Sequence, residues 1–219
     1  MLNQFPDHIF HMISVAILLL RLRTTKSAMG LSVKTQECYL LVFLSRYMDL
    51  FYSYSIFNSI MKIVCIVLTG YLVYLVRYTE PYKTGYLAYH NDTFQHWKFI
   101  IAPAVVGMLI TDFFISPLNI LQLLWIFSVY VETVAILPQL IMLYRHQETE
   151  CLSMAYVFFL GVYRLLFVLN WFHRSYYDRY FDTAGTIEHI FGALQTIIYF
   201  TFFAVYMRIK YRDSLQKLY

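Results

Sequence analysis

Charge is scarce in this 219-residue chain: only 14% of residues are Asp, Glu, Lys or Arg, against 60% hydrophobic. One water-facing surface cannot be covered from that stock, which excludes a soluble globular domain and leaves a polytopic membrane protein of one domain. Cysteine is scarcer still. Cys38, Cys65 and Cys151 are odd in number, far apart and without a Cys-x-x-Cys pair, so neither a disulfide framework nor a zinc site can be proposed. Seven glycines and five prolines are too few for disordered regions. The net charge of +4 comes without a dense basic face, which argues against nucleic acid as a partner. There is no nucleophile beside a base, no cluster of metal-ligating residues and no phosphate loop, so an enzyme is not expected, nor is any metal or cofactor.

What the chain does have is long apolar runs. Seven of them lie at about 5 to 21, 38 to 54, 60 to 77, 98 to 114, 120 to 143, 154 to 173 and 184 to 207. Backbone polar groups in lipid must be satisfied internally, so these runs predict seven transmembrane helices and an all-α fold. The first run lacks the basic start and small-residue cleavage site of a secretory signal and is read as a retained helix. The 78 to 97 connection, with Pro81, Gly85 and His90-Asn91-Asp92-Thr93, is the main interruption. Residues 1–207 are expected to form the membrane domain and 208–219 a basic tail.

Arg21, Arg23, Lys26, Lys34, Arg77, Lys83, Arg145, Arg208, Lys210, Arg212 and Lys217 gather at one end of these helices. The positive-inside bias then predicts a luminal N-terminus and a cytosolic C-terminus. That orientation places the sequon Asn91-Asp92-Thr93 in the cytosol, where it would stay unglycosylated.

Within the second run, Arg46 and Asp49 stand three residues apart in otherwise apolar surroundings. Intramembrane arginine costs at least ~2.5 kcal/mol, and such groups face a bundle interior or a wet cavity. A structural ion pair and a site for a charged ligand both satisfy this spacing. Arg164, a second arginine deep in an apolar run, favours the ligand site, because two arginines near one cavity call for an anion. Glu132 lies equally deep and would be costly without a partner. A weak internal echo links Gly30-Leu31-Ser32 and the helix of Arg46 to Cys151-Leu152-Ser153 and the helix of Arg164. It suggests two three-helix repeats joined by the fourth helix as linker.

Arg46-Tyr47-Met48-Asp49-Leu50-Phe51, Asn91-Asp92-Thr93-Phe94, the run from Ser128 to Leu140 with Pro138-Gln139, and Gly161-Val162-Tyr163-Arg164 with Asn170-Trp171 together resemble the KDEL receptor family of ER-lumen protein retaining receptors. The likeness runs from about Ile9 to Met207. It implies a PQ-loop and SWEET-like seven-helix fold. It also implies a multi-pass protein of the ER and cis-Golgi that binds the C-terminal retention tetrapeptide of escaped luminal proteins, in a pH-dependent way, for coat-dependent retrograde transport. A SWEET-type small-solute transporter is the alternative, and buried charge discriminates against it.

The resemblance also assigns roles. Arg46 and Tyr47 would take the peptide carboxylate with Lys62 close by, and Arg174 would meet an acidic side chain. Asp49 and Trp125 would face the basic residue at the start of the tail, with Trp125 as a cation-π platform. Lys62 and Arg174 also fit snorkelling cations, and Trp125 an interfacial anchor. Glu132 and Arg164 would pair as a switch, together with Asn170, Trp171 and Asp182, the last of which also fits a plain N-cap. His11, opposite Tyr163, would be the pH sensor. Lys210, Arg212 and Lys217 resemble a retrieval signal for the vesicle coat, and Ser214 a phosphorylation site. Gln4, Gln122 and Phe167 depart from the family pattern and leave the preferred tetrapeptide open.

Overall fold

The computed structural model describes residues 5–52, 56–88, 94–115, 119–147, 152, 154–177 and 183–216. Side chains 5–8, 49, 51, 52, 87, 88, 115, 167, 170–177, 183–185 and 216 are outside that description. Among the described residues every regular element is helical. The chain runs through α1 (Phe5–Thr25), α2 (Val33–Arg46) with a tighter 3-10 extension (Tyr47–Tyr52), α3 (Ile56–Tyr78) and a short α4 (Tyr82–Ala88). It continues through α5 (Ala102–Ile110), which widens into π-turns at Trp97–Ile101 and Thr111–Ile115. Then come α6 (Ile120–Val134), α7 (Leu137–His146), α8 (Met154–Tyr177) and α9 (Thr183–Gln216). Four stretches are long and apolar enough to cross a membrane: Ile56–Tyr78, Trp97–Phe114, Ile120–His146 and Thr186–Leu215.

Local chemistry sets the boundaries. Ser32, in extended backbone, caps α2 by accepting a hydrogen bond from the Thr35 N–H at 3.4 Å. The apolar run expected as one helix over 120 to 143 is interrupted at Ala135–Ile136. Pro138 has no N–H to offer the Val134 carbonyl, so the ladder cannot continue through it. The turn tightens there, with the Ala135 N–H reaching Glu132 O at 3.3 Å. Gln139, the next residue, is fully buried and turns across to the α1–α2 connection. Its Oε1 accepts from the Ser32 N–H and its Nε2 donates to Gly30 O, both at 2.8 Å. Gly30 can present that carbonyl because its φ of 83° is open to glycine.

Packing follows the polar anchors. The helix contacts pair α1 with α8 and α3, α2 with α3 and α6, and α9 with α6, α7 and α8. Two apolar clusters result. One joins α1, α3, α8 and α9 around Leu18, Leu22, Leu72, Leu160 and Phe202. The other joins α2, α5 and α6 around Cys38, Val42, Ile100 and Val131. Across the α5–α6 contact, a Cβ at Gly107 would stand 3.1 Å from the Tyr130 ring, so any larger residue there would need the ring to give by a few tenths of an ångström. At the basic end, Glu37 accepts a salt bridge from Arg77 and faces His96 Nε2 at 3.4 Å. α9 continues unbroken past Met207 through Arg208, Lys210 and Arg212.

Candidate functional site

Arg46 is the last residue of α2, where the backbone tightens into the 3-10 turn. From that position, with the Asp49 side chain outside the described residues, the guanidinium reaches α6. There Arg46 forms an ion pair with Glu132, and its Nε donates to Ser128 Oγ at 3.1 Å. Ser128 sits one turn before Glu132 on the same face of α6 and itself donates to Trp125 O at 2.6 Å. The pair is deeply set, with side-chain exposures of 16% for Arg46 and 6% for Glu132.

Glu132 is the hub. Its other carboxylate oxygen accepts from the Tyr163 hydroxyl of α8, and its backbone carbonyl accepts from Gln195 Nε2 of α9 at 3.2 Å. Three helices besides its own thus converge on one residue. The resemblance implies a switch pairing of Glu132 with Arg164; the ion pair seen at Glu132 is with Arg46. Arg164 turns to α9, donating to Gly192 O and, at 3.0 and 3.2 Å, to Thr196 Oγ1, with its cation 5.9 Å from the centre of the Tyr199 ring. The reason is placement. α2 and α6 pack directly, so the long Arg46 side chain spans the interval, whereas Arg164 faces small residues of α9.

His11 of α1 is buried in an aromatic enclosure, with ring centres of Tyr39, Phe43 and Tyr163 at 5.1, 5.1 and 5.2 Å. Its expected neighbour Tyr163 is therefore present, and that tyrosine connects it to Glu132. Tyr47 stacks on Phe43 at 5.6 Å, and the Lys62 ammonium lies 5.6 Å from the centre of the Tyr47 ring. Lys62 is buried rather than snorkelling outward.

The structure thus gathers Arg46, Tyr47, Lys62, Glu132, Tyr163, Arg164 and His11 around the meeting of α1, α2, α3, α6, α8 and α9, with Trp125 one turn before Ser128. The side chains of Asp49, Asn170, Trp171 and Arg174 lie outside the described residues, as do Asp182, Lys217 and Gln4 altogether. Gln122 is committed locally, its Oε1 accepting from the Asn119 N–H at 3.1 Å. Ser128, Gln195, Thr196, Tyr39 and Tyr199 belong to the same polar centre and were not singled out from sequence. The signal was available for α9: Gln195, Thr196 and Tyr199 fall on one face within an otherwise apolar helix.

A charged, aromatic and largely buried centre of this kind can hold an anion and respond to its loss. Residues 27–174 match the family described as ER lumen protein retaining receptor. The chain is 41% identical over 204 residues to ER lumen protein-retaining receptor A of Arabidopsis thaliana, covering 93% of this chain and 92% of that one. It is 37% identical over 206 residues to the ER lumen protein-retaining receptor of Plasmodium falciparum, at 93% and 90% coverage. Against ER lumen protein-retaining receptor 2 of Homo sapiens it is 40% identical over 201 residues, at 90% and 89% coverage. Polar centre, helical architecture and kinship over nearly the whole length agree: the chain belongs to the ER lumen protein retaining receptor family.

Proposed function

We propose that this chain captures escaped luminal ER proteins in the Golgi by their C-terminal KDEL-like tetrapeptide and returns them to the ER in retrograde vesicles. The Arg46–Glu132 pair carries the reading. A deep guanidinium held by an internal carboxylate is an anion site whose occupant can be exchanged, and a peptide's terminal carboxylate offers the same two oxygens to the same planar fork. Tyr47 and Lys62 stand beside it as further donors. Arg174 would read an acidic side chain of the tail, and Asp49 with Trp125 its basic first residue. The family is one of retention receptors and not of enzymes.

Exchange at Arg46 leaves Glu132 without its ion partner, and the Arg164 charge is next in reach. Drawing Arg164 towards Glu132 loosens its hold on Gly192 and Thr196 of α9, with Tyr163, Asn170, Trp171 and Asp182 as further parts of the switch. His11 lies against Tyr163, so its protonation in the more acidic Golgi favours the loaded state. α9 runs on into Lys210 and Arg212, and with Lys217 these form the basic signal that a loaded receptor would present to the coat.

The same reading counts seven membrane-spanning segments: α1, α2 with its extension, α3, the helix centred on α5, α6 with α7, α8 and α9. Contact symmetry supports two three-helix repeats joined by α5. The pairs α1–α8, α1–α3 and α2–α3 have counterparts in α6–α2, α6–α9 and α8–α9. The N-terminus is then luminal and the C-terminus cytosolic.

The test is direct binding of a free-acid Lys-Asp-Glu-Leu peptide to the solubilised protein at pH 6. Arg46→Ala should abolish binding, and Arg46→Lys should restore little, because a point charge does not replace a fork. Binding by Arg46→Ala at the wild-type level would remove Arg46 from the site.

A further inference from the structure

α2 and α9 both pack on α6 and carry the two ends of the proposed coupling: Arg46 at the end of α2, and the basic segment at the end of α9. Between them, across the middle of the bundle, the hydroxyls of Tyr39 and Tyr199 hydrogen-bond to each other. Both side chains are almost fully buried, at 2% and 1% exposure. Tyr39 belongs to the apolar cluster of α2, α5 and α6, and Tyr199 to that of α1, α3, α8 and α9, so the bond joins the two halves of the core.

Its surroundings place it against His11 on one side and Arg164 on the other. Tyr39 lies seven residues before Arg46, two turns down the same face of α2. Its ring is 5.1 Å from His11. The Tyr199 ring lies 5.9 Å from the Arg164 guanidinium, one turn after Thr196, which Arg164 holds. Tyr199 is thus the third of three consecutive polar holds on α9, after Arg164 on Gly192 and Thr196 and Gln195 on Glu132 O. Two phenols joined through their hydroxyls can part by a small displacement of α9, which a packed apolar contact resists.

We infer that the Tyr39–Tyr199 hydrogen bond is a latch that holds α9 in its unliganded position, making these two tyrosines positioning residues for ligand-driven signalling to the tail. The inference rests on the retrieval reading for what the latch controls. Breaking the latch lowers the cost of the loaded state, so removing a hydroxyl tightens ligand binding. A tyrosine with only a packing role would give weaker or unchanged binding when truncated. Losing one net buried hydrogen bond from the unliganded state shifts a two-state equilibrium by about three- to tenfold.

The experiment compares wild type, Tyr39→Phe, Tyr199→Phe and the double variant, each keeping its ring and volume. Affinity for an N-terminally labelled, free-acid Lys-Asp-Glu-Leu peptide is measured at pH 6 and pH 7.4, together with amide hydrogen exchange along residues 199–212 without peptide. Each single variant should bind about three- to tenfold more tightly and depend less on pH, with the double variant no tighter than the better single. Weaker binding, unchanged binding, or gains that add in the double variant would overturn the latch. If wild type binds no peptide, the retrieval reading fails on its own, and exchange decides the latch. Faster exchange in each single and no further gain in the double supports it; unchanged or additive exchange refutes it.

Discussion

Replacing Glu132 by Gln isolates the charge at the centre of the site. Glutamine keeps the shape and can still accept the Tyr163 hydroxyl, so what disappears is the anion facing Arg46. Breaking a buried ion pair by removing one partner costs about 3–5 kcal/mol, because the other charge stays buried. Arg46 retains 16% side-chain exposure and its bond to Ser128, which brings the expected cost to about 2–3 kcal/mol. For a chain of this length that corresponds to a fall in Tm of about 4–12 °C. A peptide carboxylate would replace the missing anion, so the free-acid Lys-Asp-Glu-Leu peptide should raise the variant's Tm by more than it raises the wild type's. Thermal unfolding in detergent at pH 6, with and without peptide, reads both effects. An unchanged Tm without peptide, or equal peptide shifts in the two proteins, would refute the view that Glu132 occupies the ligand's place on Arg46.

Peptide binding should strengthen as pH falls from neutral to about 6, the range in which histidine charges, and His11→Ala should flatten that dependence; equal slopes in titrations of the two proteins would remove His11 as the sensor. Gln139→Ala should cost about 2–4 kcal/mol in thermal unfolding, because it strips partners from the buried Ser32 N–H and Gly30 carbonyl. Neutralising Lys210, Arg212 and Lys217 together should leave peptide affinity intact yet hold the protein in the Golgi, which imaging after ligand expression would show. Normal return to the ER would leave those residues as a topology signal.

How much of this was legible in the sequence depended on what each residue costs in the wrong place. Arg46, Glu132 and Arg164 announced themselves because charge within apolar runs has few tolerable explanations, and the structure buries or half-buries all three. The helical class followed from the length of the apolar runs. That Arg46 reaches Glu132 did not follow, because it depends on which helices touch. The break at Ala135–Ile136 was foreshadowed by Pro138, but hydropathy alone passes smoothly through it. Tyr199 shares a polar face with Gln195 and Thr196, but among 21 tyrosines nothing in one sequence marks Tyr39 or tells that these two hydroxyls meet. Gln139 as a clasp on the α1–α2 connection likewise spans more than a hundred residues and has no local signature.

In the proposed cycle Arg46 exchanges Glu132 for the terminal carboxylate of a peptide. Side-by-side titration of wild-type protein at pH 6 with Lys-Asp-Glu-Leu as the free acid and as the C-terminal amide tests it most directly. The free acid should bind saturably and lose at least about tenfold in affinity on amidation, the scale of one charge-assisted hydrogen bond. Equal affinity for the two peptides would contradict the exchange.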